Sequence, residues 1–206
     1  MPQLFTRLLL AALTLSSSCF AADLPSEALK ILTAKYPNVE LKRISDVSFG
    51  DLNNDGIKDI CFILSELGEN GSYERLVVLA GRADGTFALF SQSDTWAAHM
   101  RRLIYTSIEK GSIFLNDSSV GYTEFEGTRY QFKIIQGRLK LIGTVHTQGT
   151  IGSDDESKSS VNLVTNKIVN VTVEDKKRKE SFSRMQGHYD IYLEDFSFAT
   201  ISGKLN

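Results

Sequence analysis

The fold is decided by a stretch near the N-terminus that reads Ile44-Ser-Asp-Val-Ser-Phe-Gly50, then Asp51-Leu-Asn-Asn-Asp-Gly-Ile-Lys-Asp59, then Ile60-Cys-Phe-Ile-Leu64. Apolar and polar residues alternate in the first part, which predicts a strand with one buried face. The last part is an apolar run of strand length. The aspartate, asparagine and glycine residues between them indicate a tight connection. The stretch is therefore a strand–loop–strand unit.

The connecting loop, residues 51–59, carries oxygen-bearing side chains at regular intervals. Calcium takes about six to eight hard oxygen ligands at roughly 2.3–2.6 Å, and this spacing wraps alternate side chains around one point. The pattern predicts a calcium site formed by the side chains of Asp51, Asn53, Asp55 and Asp59 and the carbonyl oxygen of Ile57. Gly56 would make the sharp turn. The alternative is an ordinary polar turn without an ion.

The loop differs from a helix–loop–helix calcium hand. That loop requires a bidentate glutamate at its twelfth position, where this chain has Phe62, and it is flanked by helices rather than strands. If the loop binds calcium, the pattern therefore favours a site between two strands over a helix–loop–helix site.

The segment from Ser48 to Ile60, with Arg75-Leu-Val-Val-Leu-Ala-Gly81 and Asp84-Gly-Thr-Phe87, resembles one FG-GAP or VCBS-type repeat. This repeat is the calcium-bearing blade unit of integrin-like β-propellers. A propeller takes typically four to eight blades, whereas this chain has no second loop of this pattern. The resemblance implies a lone blade-type unit within another β fold. Segments around Tyr130, Leu139 and Ser160 are similar to a group of small exported bacterial proteins of unknown function.

The rest of the chain predicts one helix followed by strands. Ala28, Leu29, Leu32 and Tyr36 recur at helical spacing, and Pro37 ends that pattern. Further strands are predicted at 74–80, 86–91, 102–108, 112–115, 128–135, 138–147, 159–164, 167–173 and 189–196, and a helical turn is predicted around Trp96.

Glycine-containing pairs at 84–85, 110–111 and 136–137 predict hairpin turns. The fold class is mainly β with a minor α component: an antiparallel sheet assembly or sandwich of consecutive hairpins with one N-terminal amphipathic helix.

The first residues have the features of a secretory signal peptide. Arg7 precedes the apolar run 8–15, and small residues follow it. We expect cleavage after Ala21, which leaves 22–206 as one β-rich domain in the periplasm or cell exterior. A lipoprotein anchored through Cys19 is less favoured, because Ser16 occupies a position where lipoproteins have an apolar residue. Cys61 is then the remaining cysteine, and we expect it to be a buried core residue.

The charge balance argues against a polyanionic partner. Without Arg7 the chain has 22 basic and 25 acidic side chains, which disfavours nucleic acid and an anionic membrane surface. The acidic run 154–156 and the basic run 176–179 are interpreted as a solvated loop and a hairpin tip. No later apolar run has the length of a membrane helix.

The sequence has no recognisable catalytic constellation. His99, His146 and His188 lack the spacing of a zinc hydrolase. Acid–base pairs could be drawn from Glu124, Glu126, Glu194 and Asp195, but their separation cannot be read from the sequence. The leading interpretation is a non-catalytic, exported calcium-binding module, and the partner that this interpretation implies is another envelope or extracellular protein. The alternatives are an inhibitor or immunity protein against an envelope-acting enzyme, and an unrecognised secreted hydrolase.

Overall fold

The computed structural model describes residues 24–37, 43–68, 71–98 and 102–205. These residues form two antiparallel sheets, in which each strand pairs mainly with its neighbours in sequence. The first sheet has five strands and the second has seven. The mainly β fold class, built from consecutive hairpins, is therefore confirmed. The proposed leader, residues 1–21 with Arg7 and Cys19, and His99 lie outside the described residues.

The five-stranded sheet has the order β1-β2-β3-β4, and β5 pairs with β3 beyond the end of β4. Its strands are β1 (Ile44–Gly50), β2 (Asp59–Gly68), β3 (Gly71–Gly81), β4 (Phe87–Gln92) and β5 (Trp96–Ala97).

The seven-stranded sheet is a continuous meander from β6 to β12. Its strands are β6 (Arg102–Glu109), β7 (Ser112–Val120), β8 (Glu124–Ile135), β9 (Arg138–Thr150), β10 (Glu156–Asn162), β11 (Lys167–Glu174) and β12 (Lys177–Arg184).

The described part of the chain has three helical segments in addition to the sheets: α1 (Ser26–Lys35), a 3-10 turn (Leu193–Asp195) and α2 (Phe198–Leu205). The predicted helix corresponds to α1, and the N–H of Tyr36 closes its last turn on the Leu32 carbonyl at 2.7 Å. Ala28 and Leu32 are buried against the outer side of the five-stranded sheet, with Phe62 and Leu64 among their neighbours. None of the described helices is long and apolar enough to cross a membrane.

The main core lies where the two sheets face each other. Ile63 and Val78 of the first sheet meet Leu115 and Phe132 of the second. Phe196, just before α2, is buried against Phe132 with their ring centroids 5.1 Å apart. Trp96, Tyr130 and Phe198 complete this aromatic cluster.

The sheets also meet along β1 and β6. The Ser48 hydroxyl donates to the Thr106 carbonyl at 2.8 Å, and the Thr106 hydroxyl donates to the Asp46 carbonyl at 2.7 Å. Asp46 has a φ of 53° at a register shift in β1. These bonds connect β1, the strand that leads into the loop of residues 51–58, to the second sheet.

The hairpin predictions at Lys110-Gly111 and Gln136-Gly137 are correct, since both residues of each pair have positive φ. The hairpin between β11 and β12 instead turns at Asp175 and Lys176, which adopt positive φ without glycine. The basic run is therefore only partly a tip, because Lys177, Arg178 and Lys179 belong to an exposed edge strand.

Two local predictions are wrong, and one helix was not predicted. Trp96 lies in a short strand rather than a helical turn, because it pairs with Glu74 of β3. The segment 189–196 forms a single bridge, Lys140 to Tyr192, and then a 3-10 turn. Its apolar residues fill the core instead of extending a sheet. A second helix, α2, follows in a segment for which the sequence predicted no element.

Candidate metal site

The loop of residues 51–58 connects β1 to β2 and is anchored at both ends. The Leu52 side chain is buried in the main core. At the other end, Gly81 of β3 lies so close that a Cβ atom there would be 2.3 Å from the Lys58 carbonyl oxygen. Glycine is therefore required at position 81 for the loop to rest on β3. Between these anchors, Asn53, Asn54, Asp55 and Gly56 are exposed.

The loop backbone turns back on itself at its tip. Gly56 has a φ of 82° and Asn54 a φ of 60°, both in the left-handed region. Glycine and asparagine are the residues that adopt this region most readily. The predicted role of Gly56 in making the sharp turn is correct.

Asp51, Asn53 and Asp55 gather their side chains on one side of the loop. The N–H of Asp55 donates to Asp51 Oδ1 at 3.2 Å and to Asn53 Oδ1 at 3.0 Å. The Asn53 side-chain amide in turn donates to Asp55 Oδ2 at 2.7 Å. The loop thus brings two carboxylates and one amide oxygen close together, as the spacing predicts.

Two further amides complete the loop's hydrogen bonding. The N–H of Gly56 donates to Asp51 Oδ2 at 2.8 Å, and the N–H of Ile57 donates to Asp55 Oδ1 at 2.8 Å. Each carboxylate of the tip therefore already holds the backbone of the turn. Carboxylate oxygens have more than one acceptor direction, so these bonds leave capacity for a cation.

Asp59 lies at the base of the loop and is buried, with 2 % of its surface exposed. Its Oδ2 accepts the N–H of Leu52 at 2.8 Å and its Oδ1 accepts the N–H of Gly81 at 2.9 Å. Burial raises the pKa of this carboxyl, and the charges of Asp55 and Asp51 raise it further, while the two amides lower it. Asp59 is thus in the electrostatic field of the other loop acids and also ties the loop to β3.

The arrangement fits the predicted calcium set in part. Asp51, Asn53 and Asp55 converge, and half-buried Ile57 directly follows the turn. Asp59 instead directs its two oxygens to backbone amides. Within the ranges that the structure describes, no group of three or more His, Cys, Asp or Glu side chains is placed to hold a metal ion. The side chains that the loop brings together are therefore two carboxylates and one amide, with Asp59 at its base.

Sequence reasoning missed the two amides that hold Asp59. The Leu52 amide lies within the loop, but the Gly81 amide comes from β3, 22 residues further along the chain. Only the β2–β3 register, in which Ile60 is paired with Leu79, brings Gly81 to this position. No local spacing in the sequence carries that information.

Cys61, the third residue of β2, is fully buried and free, as expected. Burial raises the pKa of its thiol to about 12, although the Thr106 side chain lowers it somewhat. A thiol with so little thiolate and no exposure is a core residue rather than a nucleophile.

The possible acid–base residues do not assemble into one site. Glu194 contacts Ser91 and Arg138, at one end of β9. Glu124 is opposite Thr150 at the other end of the same thirteen-residue strand. At about 3.3 Å per residue this is a separation of roughly 40 Å, far beyond the distance between the carboxylates of a glycosidase.

Among the described residues, a hydroxyl, an imidazole and a carboxylate come near one another on the inner side of β8 and β9. The Thr128 hydroxyl is 3.0 Å from His146 Nδ1, and Glu126 is 3.9 Å from His146 Nε2. The carboxylate is too distant for a hydrogen bond that would orient the ring. His188 Nε2 lies 3.3 Å from Asp190 Oδ1, on an exposed segment.

An acidic cleft of about 510 Å³ lies at the loop end of the second sheet. Glu124, Glu126, Asp155, Glu156 and Glu174 contribute the carboxylates that line it. The run 154–156 is exposed, as its interpretation as a solvated loop predicts.

Comparison of the chain with known protein families, with curated proteins and with solved structures gave no match.

Proposed function

We propose that this chain is a non-catalytic, exported calcium-binding module in which the ion stabilises the fold. The observation that carries the proposal is the convergence of Asp51 and Asn53 oxygens on one backbone amide, with the Asp55 carboxylate beside Asn53. The resemblance of this loop to FG-GAP or VCBS-type repeats supports calcium as the ion.

The loop acids oppose their own assembly when no cation is present. Asp51 and Asp55 both raise the pKa of Asp59, which means that the three carboxylates repel one another. A bound calcium ion would supply the positive charge that offsets this repulsion. The side chains of Asp51, Asn53 and Asp55 and the carbonyl of Ile57 would hold it, and Asp59 would keep the loop seated on β3.

Ordering of the loop by calcium would also stabilise the contact between β1 and β6, where the two sheets meet. The loop continues directly from β1, whose Ser48 and Asp46 bond to Thr106 of β6. A loop that opens would loosen the end of β1 and weaken this joint. Calcium would therefore stabilise the association of the two sheets in addition to the hairpin itself.

A non-catalytic role is supported by the placement of the titratable groups, because the acidic residues that line the cleft are all exposed. Glu194 and Glu124 lie at opposite ends of β9, and Glu126 is too far from His146 to orient it. We favour a protein that binds over one that performs a reaction.

The calcium proposal is tested by thermal unfolding with calcium and with a chelator. An ion that binds only the native state raises the free energy of unfolding by about 2.7 kcal/mol when its concentration is 100 times its Kd. For a domain of this size that corresponds to a rise in Tm of roughly 5 to 10 °C. Asp55→Ala should abolish most of this calcium-dependent rise.

Asp84→Ala is the matched control. Asp84 is an exposed turn aspartate whose Oδ1 accepts the N–H of Thr86 at 3.0 Å, and it lies outside the loop. Its replacement should leave the calcium-dependent part of the melting temperature as in the wild type. Equal melting temperatures of the wild type in calcium and in chelator would contradict the proposal.

The export part of the proposal rests on the leader and is tested separately. The mass of the intact protein from the cell envelope should correspond to a chain that begins at Ala22. A mass that includes an acylated Cys19 would instead assign the protein to a membrane face.

A further inference from the structure

The outer face of the seven-stranded sheet is the side that does not pack in the main core. Side chains alternate between the faces of a sheet, so residues opposite one another across the strands share a face. Leu115 and Phe132 point into the core, and their neighbours in sequence point outward. We define the outer face by Tyr105, Phe114, Arg129, Val145, Val169 and Phe182, together with the cations Lys158, Lys167 and Arg184.

We propose that this outer face docks a protein partner that presents an acidic surface. The proposal goes beyond the calcium module, because the calcium-type loop belongs to the other sheet and takes no part in it.

The outer face exposes more aromatic surface than folding requires. Tyr105 is 49 % exposed and Phe182 is 62 % exposed, and neighbouring Leu103 is 65 % exposed. Exposed apolar groups that share one face of a sheet are typical of interaction surfaces. Aromatic residues and arginine are enriched in the cores of protein–protein interfaces.

Arg129 is held in place at the centre of the face. Its guanidinium lies 3.7 Å from the centroid of the Phe114 ring, and it pairs with Glu109 at 3.1 Å. The stacked position limits the freedom of the side chain before any partner arrives. Little side-chain entropy would then be lost when a carboxylate of the partner approaches.

The outer face carries positive charge that the chain itself does not offset. Lys158, Lys167 and Arg184 form no ion pair with any described residue, and Lys167 lies 5.1 Å from the Phe182 ring. Of the acids on this side, Glu109 pairs with Arg129 and Glu180 pairs with Arg178, and Glu156 lies at the first position of β10. Because the whole chain has a net charge of −2, this basic face is a local departure from the overall balance. Charge complementarity therefore calls for an acidic partner.

The outer face has two depressions, one on either side of Arg129. One has a volume of about 410 Å³ and lies over Gly143, with Phe114, Lys167 and Val169 at its border. The other has a volume of about 360 Å³ and lies over Gly127, with Tyr105 and Lys158 nearby. A glycine, which has no side chain, is among the residues that line each of them. Such pockets receive the anchoring side chains of a protein partner.

The size of the face agrees with a protein interface. Seven strands about 4.8 Å apart give a width of roughly 29 Å. A standard interface buries about 800 Å² on each partner, which a face of this width can supply. Two copies of this face would bring their lysines together, so face-to-face pairing of the chain with itself is disfavoured.

The test measures binding of acidic polymers to the full chain by fluorescence anisotropy at low ionic strength. The probes are a glutamate–tyrosine copolymer, poly-L-glutamate and hyaluronan. The copolymer combines carboxylates with side chains that can enter the depressions, so it should bind more tightly than poly-L-glutamate. The double variant Lys158→Glu and Lys167→Glu should weaken binding of the copolymer by roughly tenfold or more.

The matched control is Lys30→Glu with Lys35→Glu, which changes the charge equally on the exposed side of α1. It should bind the copolymer as the wild type does. All four lysines are exposed, and unchanged melting temperatures will show that the variants remain folded.

Phe182→Ala provides a second readout, because it removes aromatic surface without changing charge. It should reduce the preference for the copolymer over poly-L-glutamate.

Four results would overturn the proposal: no binding of either polypeptide, equal losses in the two double variants, tightest binding to hyaluronan, or self-association that the Lys158 and Lys167 changes abolish. The third would identify a glycan, and the fourth a second copy, as the occupant.

Discussion

The Asp59 carboxylate accepts the backbone N–H of Gly81 at 2.9 Å and so ties the β1–β2 loop to the end of β3. Its other oxygen accepts the N–H of Leu52, inside the same loop. One buried side chain therefore satisfies two amides from separate parts of the first sheet. This places Asp59 at the structural base of the loop, whereas Asp51, Asn53 and Asp55 form its exposed tip.

Replacing Asp59 should destabilise the fold even when calcium is absent. Asp59→Ala leaves the Leu52 and Gly81 amides without their acceptor, and unsatisfied buried groups cost about 1–3 kcal/mol each. We expect the free energy of unfolding, measured with urea in the presence of chelator, to fall by about 3 kcal/mol. Asp55→Ala, which changes the exposed tip, should cost much less under the same conditions. Similar losses in the two variants would contradict the distinction between base and tip.

Asp46 should make stability depend on pH in the direction set by its burial. Burial raises the pKa of this carboxyl above its ordinary value of 3.8, with a partly opposing hydrogen bond from the Ser45 side chain. A raised folded-state pKa means that the native chain binds the proton more tightly than the unfolded chain. The contribution of Asp46 to stability is therefore gained as the pH falls from the raised folded-state pKa toward 3.8, and it is lost as the pH rises through the same range.

The Asp46→Asn variant isolates that contribution. Asparagine keeps the shape and tolerates the φ of 53° at this position, but it carries no charge. It should be more stable than the wild type at neutral pH, and the difference should shrink as the pH falls from the raised folded-state pKa to the ordinary value of 3.8. Urea unfolding of both proteins across this range measures the effect. A difference that stays constant with pH would show that burial of the charge is not its cause.

Phe196 should contribute strongly to stability although it belongs to no strand. It is fully buried, and its ring lies 5.1 Å from Phe132 and 5.2 Å from Tyr130. Phe196→Ala should cost about 3–5 kcal/mol, the usual loss for a core phenylalanine. Phe182→Ala, at an exposed position of β12, should be close to wild type in chemical denaturation. Comparable stabilities of the two variants would contradict the assignment of Phe196 to the core.

Local patterns in the sequence predicted the parts of the fold that local interactions determine. Glycine after Lys110 and after Gln136 identified two hairpin turns, because positive φ is a property of the turn itself. The strand Lys177–Arg184 was missed, since all its residues are exposed and no burial pattern exists to be read. The apolar alternation around Ile191 and Leu193 reflected contact with the core, which a strand and an irregular segment can both achieve.

The candidate site also has one part that local sequence determines and another part that depends on strand pairing. The spacing of Asp51, Asn53 and Asp55 predicted that their side chains meet, because the turn that joins them is only a few residues long. The bond from Gly81 to Asp59 depends on how β3 pairs with β2, and the basic outer face depends on the register of seven strands. Such long-range pairings leave no local mark in the sequence.

The central claim is that the loop of residues 51–59 binds calcium, and isothermal titration calorimetry of the metal-free chain tests it most directly. We predict that the wild-type chain binds one calcium ion and that Asp55→Ala binds it far more weakly, while Asp84→Ala retains wild-type binding. An absence of binding at millimolar calcium, or equal affinity in the wild type and Asp55→Ala, would contradict the account.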